Sequence, residues 1–328
     1  MARIILTSSG SYPRIDEGEH GQRLRKAYTE FEQGQRTGAE LQEIEGELTA
    51  EVISLQASAG LELVTDGQIG WYDPISHFLG KTEGVEIDGL SRFFDTNFYY
   101  RQPIIMGKVK WKAPILLDEF LFAKSVSPLP VKPVIIGAYT LGRLSVDRYY
   151  NDFPKLLDDI AQVIAREVEL LAQEGAEIIQ IDEPAIIRNP RDILLLGREL
   201  DLIVKYKGGA QIALYTYFGD SASIYQELQS LPIDILGLDF TYSQRLPEVI
   251  ASLENKKVLG LGLIDGRNTK IESEEDIFPI LSQIMPAIGA GNCYLNPSCG
   301  LEYLPWGQAF QKLENMKRLR DKFVEGQK

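Results

Sequence analysis

The chain has 328 residues, with 47 acidic against 34 basic side chains and a formal net charge of −13. No basic run offsets that excess, which excludes a nucleic-acid surface or docking on an anionic membrane as an expected role. No stretch approaches the roughly 18 apolar residues of a membrane span, the apolar run in MARIILTSSGSYPR is too short for a signal-peptide core, and two cysteines make no disulfide framework.

The first β-rich run is RIILTS (3–8). A helical pattern over 40–61 precedes the second, LELVTD (61–66). Residues 67–112 then read as a long irregular insertion, the pattern of a lid, a binding platform or a structural flap. A helix over 114–126 leads to PVIIGAYT (133–140), and the long amphipathic pattern 153–175, with Gly175 suited to its C-terminal cap, leads to AEIIQID (176–182). A helix over 191–206 precedes QIALYTY (211–217), 221–231 precedes DILGLDF (234–240), and 245–254 precedes KVLGLGLID (257–265). Helix 274–291 leads to NCYLNPS (292–298), and a last helix over 305–323, with Pro305 suited to its first turn, closes the pattern. Most of the β runs are continuously apolar, as strands covered on both faces of a parallel sheet are. Eight such runs alternating with helices predict a (β/α)8 TIM barrel, α/β in class, as one domain over 1–328 with the insertion after strand 2. An open doubly wound sheet is the alternative, but no G-x-G-x-x-G follows the first run.

Barrel sites form at the carboxyl ends of the strands. Ser9 and Ser11 follow the first run, Asp66 and Gln68 the second, and Asp182 and Glu183 the fourth. Tyr215 and Tyr217 end the fifth, two apart and so on one face. Asp239 ends the sixth, Asp265 the seventh, and Ser298 with Cys299 the eighth. So many polar ends are a site signal. In IDEP (181–184) a carboxylate could bind a ligand amine or act as a base; the competing reading is a cap on backbone N–H groups of the next loop. His20 and His77 share no spacing with a cysteine or with each other, which argues against a histidine metal site or triad and favours a surface or loop role for each. Cys293 is expected to point into packing. No P-loop occurs, and DGRN (265–268) reads as a turn.

GSYPR (10–14), TDGQ (65–68), FDTNFYY (94–100), IIQIDEPAI (178–186), LYTYFGD (214–220), DGRN and NPSCGLEYLP (296–305) together resemble the cobalamin-independent methionine synthase family, in order along almost the whole chain. FDTNFYY, TYFG and DGRN are similar to its zinc-free N-terminal barrel; TDGQ and CGLEYLP are similar to its compact single-barrel members. In the catalytic barrels zinc binds homocysteine as a thiolate that attacks a methyl group on a folate or a corrinoid. The resemblance puts Cys299 at one ligand position, Asp239 where a Glu would stand, and Tyr215 and Tyr217 where His and Cys would stand. Phenols are poor zinc ligands, so no tightly bound cofactor and no metal residues are expected. By the same resemblance Ser11 and its neighbouring backbone hold an amino acid's carboxylate, Asp182 pairs with its ammonium, and Gln68 replaces a Glu.

These readings imply a cytoplasmic protein of methionine biosynthesis that leans to methyltransferase with a degenerate metal site. It would support methyl transfer to homocysteine beside a zinc-bearing methionine synthase barrel on a separate chain, with Phe94, Asp95, Asn97, Tyr99 and Tyr100 as contacts for that partner or for a folate tail. The alternative is a stand-alone enzyme on a small amino-acid-like substrate, with Tyr215 or Tyr217 as acid and Asp182 or Asp239 as base. A small-molecule binding protein is a third class.

Overall fold

The computed structural model describes residues 2–14 and 19–327, with no side-chain detail for 19–21, so the expectation of a surface or loop role for His20 lies outside the described residues. Among the described residues ten strands occur in chain order: β1 (Arg3–Leu6), β2 (Glu83–Arg92), β3 (Tyr99–Lys110), β4 (Val134–Ile136), β5 (Val146–Asp147), β6 (Ile178–Asp182), β7 (Gln211–Thr216), β8 (Ile235–Asp239), β9 (Val258–Ile264) and β10 (Asn292–Pro297). Seven of them order as β1-β10-β9-β8-β7-β6-β4. The pairs β1 with β10, β4 with β6, β6 with β7 and β7 with β8 are parallel. Helices separate consecutive members of this sheet, as the (β/α)8 class requires.

The chain divides into two compact units, Met1–Gly70 with Glu119–Val131 and Leu261–Lys328, and Trp71–Asp118 with Lys132–Gly260. In the first, the run expected as strand 61–66 is reduced to two parallel bridges, Thr7 with Leu63 and Val64 with Val131. Side chains take over the pairing there. Gln56 accepts the Thr65 N–H at 3.0 Å and donates to the Thr65 carbonyl at 2.8 Å, and the Thr65 hydroxyl donates to the Gly10 carbonyl at 2.7 Å. Helix Gly38–Ser58 opens on a capping box. The Glu40 N–H donates to the Thr37 hydroxyl at 3.3 Å, and the Thr37 N–H donates to the Glu40 carboxylate at 2.7 Å.

In the second unit, helix Phe153–Gln173 buries Leu156, Leu157, Ile160, Ile164, Val168 and Leu171 along one face. Each such side chain contributes about 1.5–3 kcal/mol by leaving water. Gly175 follows at φ 86, the left-handed turn that ends this helix. The insertion is more ordered than its sequence suggests. It holds helix Pro74–Leu79 and an antiparallel hairpin of β2 on β3, with β5 parallel to β3. Bulges between Glu83 and Val85 and between Ile87 and Leu90 break the period-2 pattern that would have revealed β2. Buried Glu167 fastens the end of the insertion, accepting from Trp111 Nε1 at 2.6 Å and from the Ile115 and Leu116 N–H groups at 3.0 Å each. The run 133–140 is strand only to Ile136; Ala138–Arg143 is a short helix.

Glu199, on helix Ile193–Ile203, is buried with neither carboxyl oxygen hydrogen-bonded. Burial, then the Asp158 charge, pushes its carboxyl up to about 7. The folded chain thus binds the proton more readily than the unfolded one, and the stability this provides at low pH is lost as pH rises through about 7. Glu199→Leu is expected to stabilise the protein by about 1–3 kcal/mol at pH 8. The gain should shrink toward pH 5. Urea titrations at the two pH values check this, and equal gains would contradict it.

Candidate functional site

In the second unit, parallel register sets Ile136 beside Asp182, Asp182 beside Tyr215, and Tyr215 beside Gly237. The end of β6 is thereby brought against the ends of its neighbours. Asp182 is buried and used on both oxygens: Oδ1 accepts from Gln180 Nε2 at 2.7 Å, and Oδ2 accepts from the Tyr217 hydroxyl at 3.1 Å. The Tyr215 ring lies where a Cβ on residue 237 would stand, so glycine is required there. Lys132 Nζ sits 4.8 Å from the centre of that ring. Burial pushes the Lys132 amine down to about 7, with the Asp182 charge opposing. A carboxylate, two phenols and an ammonium thus form one buried polar cluster.

Two further expected residues do other work. Glu183 turns toward the helix Ala138–Arg143, accepting the Tyr139 N–H at 3.0 Å, the Thr140 N–H at 2.8 Å and the Thr140 hydroxyl at 2.6 Å. Gly137 leaves room for that carboxylate. This is the capping alternative raised by IDEP. Asp239 accepts the Phe218 N–H at 3.1 Å on one oxygen, and the Thr241 N–H at 2.8 Å and hydroxyl at 2.6 Å on the other. It braces the turn after Tyr217, where Phe218 has φ 67, a costly conformation for an aromatic residue.

The insertion reaches that same turn. Phe94, itself at φ 50, packs on Phe218 with ring centres 5.8 Å apart. The Arg188 guanidinium lies 5.0 Å from the Phe94 ring centre and pairs with Asp95. Tyr100 donates to the Leu144 carbonyl at 2.9 Å, while Tyr99 stays exposed. His77 stacks on Trp71 at 4.5 Å, within the insertion.

The remaining expected residues belong to the first unit. The Ser9 hydroxyl donates to the Pro297 carbonyl and accepts from Asn296 Nδ2 at 3.2 Å. The Ser11 hydroxyl donates to Glu302, whose carboxyl burial pushes up. Asp66 accepts the Gln68 N–H at 3.1 Å, and burial, then the Glu119 charge, raises its carboxyl to about 7. Gln68 sits at φ 53 after Gly67 at φ 73. Asp265 closes the DGRN turn on the Arg267 N–H at 2.8 Å, and its own N–H donates to Glu272, which pairs with buried Lys312 at 2.7 Å. Cys299 is buried, its thiol donating to the Gly300 carbonyl at 3.3 Å. Cys293 is packed as expected, and burial pushes its thiol up to about 12.

The positions that the resemblance assigns to zinc do not fit the ion. Two are phenols and Asp239 is engaged on both oxygens. Among the described residues no three His, Cys, Asp or Glu side chains gather as a metal-holding group. Lys132, Gln180 and Glu302 were not expected. Lys132 had a faint signal, a cation beside an apolar β run, but only the fold shows it buried.

Fold and cluster together define a (β/α)8 barrel with acid and phenol groups gathered at strand ends. Residues 4–321 match the model of the cobalamin-independent synthase catalytic domain. The chain is 31% identical over 321 residues to methionine synthase of Saccharolobus solfataricus, covering 96% of this chain and 94% of that protein. It is 32% identical over 314 residues to methionine synthase of Sulfurisphaera tokodaii, covering 95% and 90%. The fold is similar to a B12-independent methionine synthase from Shewanella sp. W3-18-1, solved in complex with selenomethionine, at TM-score 0.82 and 20% identity over 99% of both chains. A putative enzyme of the same description from Listeria monocytogenes gives TM-score 0.79 at 19% identity, over 98% of both chains. The chain belongs to the cobalamin-independent methionine synthase family.

Among the described residues no helix is long and apolar enough to cross a membrane.

Proposed function

We propose that this chain is a methionine synthase-like barrel of the cytoplasm that supports methyl transfer to the thiol of homocysteine, from a folate or corrinoid donor. Membership of the family over nearly the full length supports the reaction class. One observation carries the particular form. The residues at the metal-ligand positions are turned to other bonds, with Tyr217 donating to Asp182 and Asp239 bracing the Phe218 turn. No step is therefore routed through zinc in this chain. Asp182 holds a ligand's ammonium, exchanging the Tyr217 hydroxyl for it or sharing with it. A zinc-bearing barrel on a separate chain would activate the thiol, and the turn carrying Phe94 and Asp95 is the candidate contact.

A stand-alone reading has its own support in the 3.1 Å contact of Tyr217 with Asp182, an acid and a base in hydrogen-bond reach. The experiment combines purified chain, homocysteine and methyl donor with and without a zinc-bearing methionine synthase barrel. The companion reading expects a complex and a faster rate on mixing. Full turnover by this chain alone, unaffected by chelator, transfers the case to the stand-alone enzyme, and no turnover in either arm defeats both.

A further inference from the structure

Lys132 has no part in the function as proposed, and its position needs a reason. It stands two residues before β4 and is 1% exposed. A buried ammonium is retained only where fixed charges and dipoles replace its water. Two such groups face it, the Tyr215 ring and the Asp182 carboxylate. The ring also lies close against the backbone of Gly237, since any Cβ there would enter it. Tyr215 thus packs on a strand backbone and near a cation, and Asp182 has an internal counter-charge independent of any ligand.

We propose that Lys132 is a positioning residue: its ammonium fixes the plane of the Tyr215 ring in the cluster that holds Asp182 and Tyr217. The face of an aromatic ring attracts a cation at this distance, and the attraction strengthens away from water. A cation beside Asp182 also tempers its pull on a ligand ammonium, so the site holds an amino acid without trapping it. The inference rests on the acid–phenol cluster being the working site of the proposed methyl transfer, and its test is built to fail separately from that reading.

The test uses the full chain labelled with carbon-13 in its tyrosine rings, with the Tyr215 signal assigned by its loss in Tyr215→Phe. In folded Lys132→Met the Tyr215 signal should move. The kcat for methyl transfer should fall about 10- to 100-fold, as misplaced catalytic groups cost, while KM for homocysteine does not rise. A general loss of fold would lower kcat and raise KM together. An unmoved Tyr215 signal in folded Lys132→Met overturns the inference, whatever the turnover, and so does an unchanged kcat. Should Lys132→Met not fold, the lysine side-chain protons of wild type and Tyr215→Leu give the same reading. Lys132 should be shifted upfield by the ring in wild type and return to the ordinary range in Tyr215→Leu; the same shift in both overturns the inference. A wild type without turnover whose Tyr215 signal still depends on Lys132 leaves the positioning role standing and retires the methyl-transfer reading.

Discussion

Asp182→Asn is expected to lower the methyl transfer supported by this chain about a hundred- to a thousandfold, since leaving a bound ammonium without its counter-charge costs about 2–5 kcal/mol. The shape is kept but the charge and half the acceptor capacity are not. Asp182 accepts from Gln180 on one oxygen and from Tyr217 on the other. An amide can accept on one side only and must turn its NH2 toward a donor on the other. It also removes the Asp182 charge that acts on buried Lys132. Circular dichroism and a urea titration therefore accompany the rate measurement. Asp182→Asn that is folded and turns over within about threefold of wild type would contradict any role for this carboxylate in the chemistry.

The largest effect on stability is expected one residue along. Glu183→Ala should cost about 3–5 kcal/mol, because three donors lose their acceptor inside the protein at once. They are the Tyr139 and Thr140 N–H groups and the Thr140 hydroxyl. Two of them belong to the first turn of Ala138–Arg143, whose N-cap, Gly137, has no side chain to offer. The space vacated lies against Gly137, which cannot fill it. Glu183→Gln keeps one acceptor oxygen and should cost less than half as much. Burial raises the Glu183 carboxyl to about 7, so the wild type's stability from this group is full below pH 4.5 and falls as pH rises through 7. The ordering Ala, then Gln, then wild type in urea midpoint checks the argument, and equal midpoints for Ala and wild type would refute it.

The contrast between these neighbours shows how far the residue order reaches. Both carboxylates follow the same apolar run, and sequence alone leaves ligand binding and capping open for each. Side chains of adjacent residues leave a strand on opposite faces, so one met the Tyr217 phenol and the other the helix after β4. Which carboxylate took which role depended on what neighbouring strands supplied. The Tyr215–Tyr217 spacing, by contrast, states an expectation from residue order alone, because period-2 alternation is a local property. Lys132 was invisible for the opposite reason. Its partners lie on β6 and β7, some 50 and 80 residues away in the chain, and nothing local distinguishes a buried lysine from an exposed one.

The alternation of apolar runs with amphipathic helices determined the class of fold, since each element's period states which faces must leave water. The hairpin of β2 and β3 escaped because its bulges break that period and its register comes from pairing. The run at 61–66 has strand composition, yet it makes two bridges, and Gln56 takes both backbone bonds of Thr65. Residue order by itself thus decided the elements that short-range periodicity dictates, and the family. Tertiary structure alone decided how each carboxylate, phenol and ammonium is used. Those bonds join groups distant in the chain, and their strength depends on burial that only the folded molecule creates.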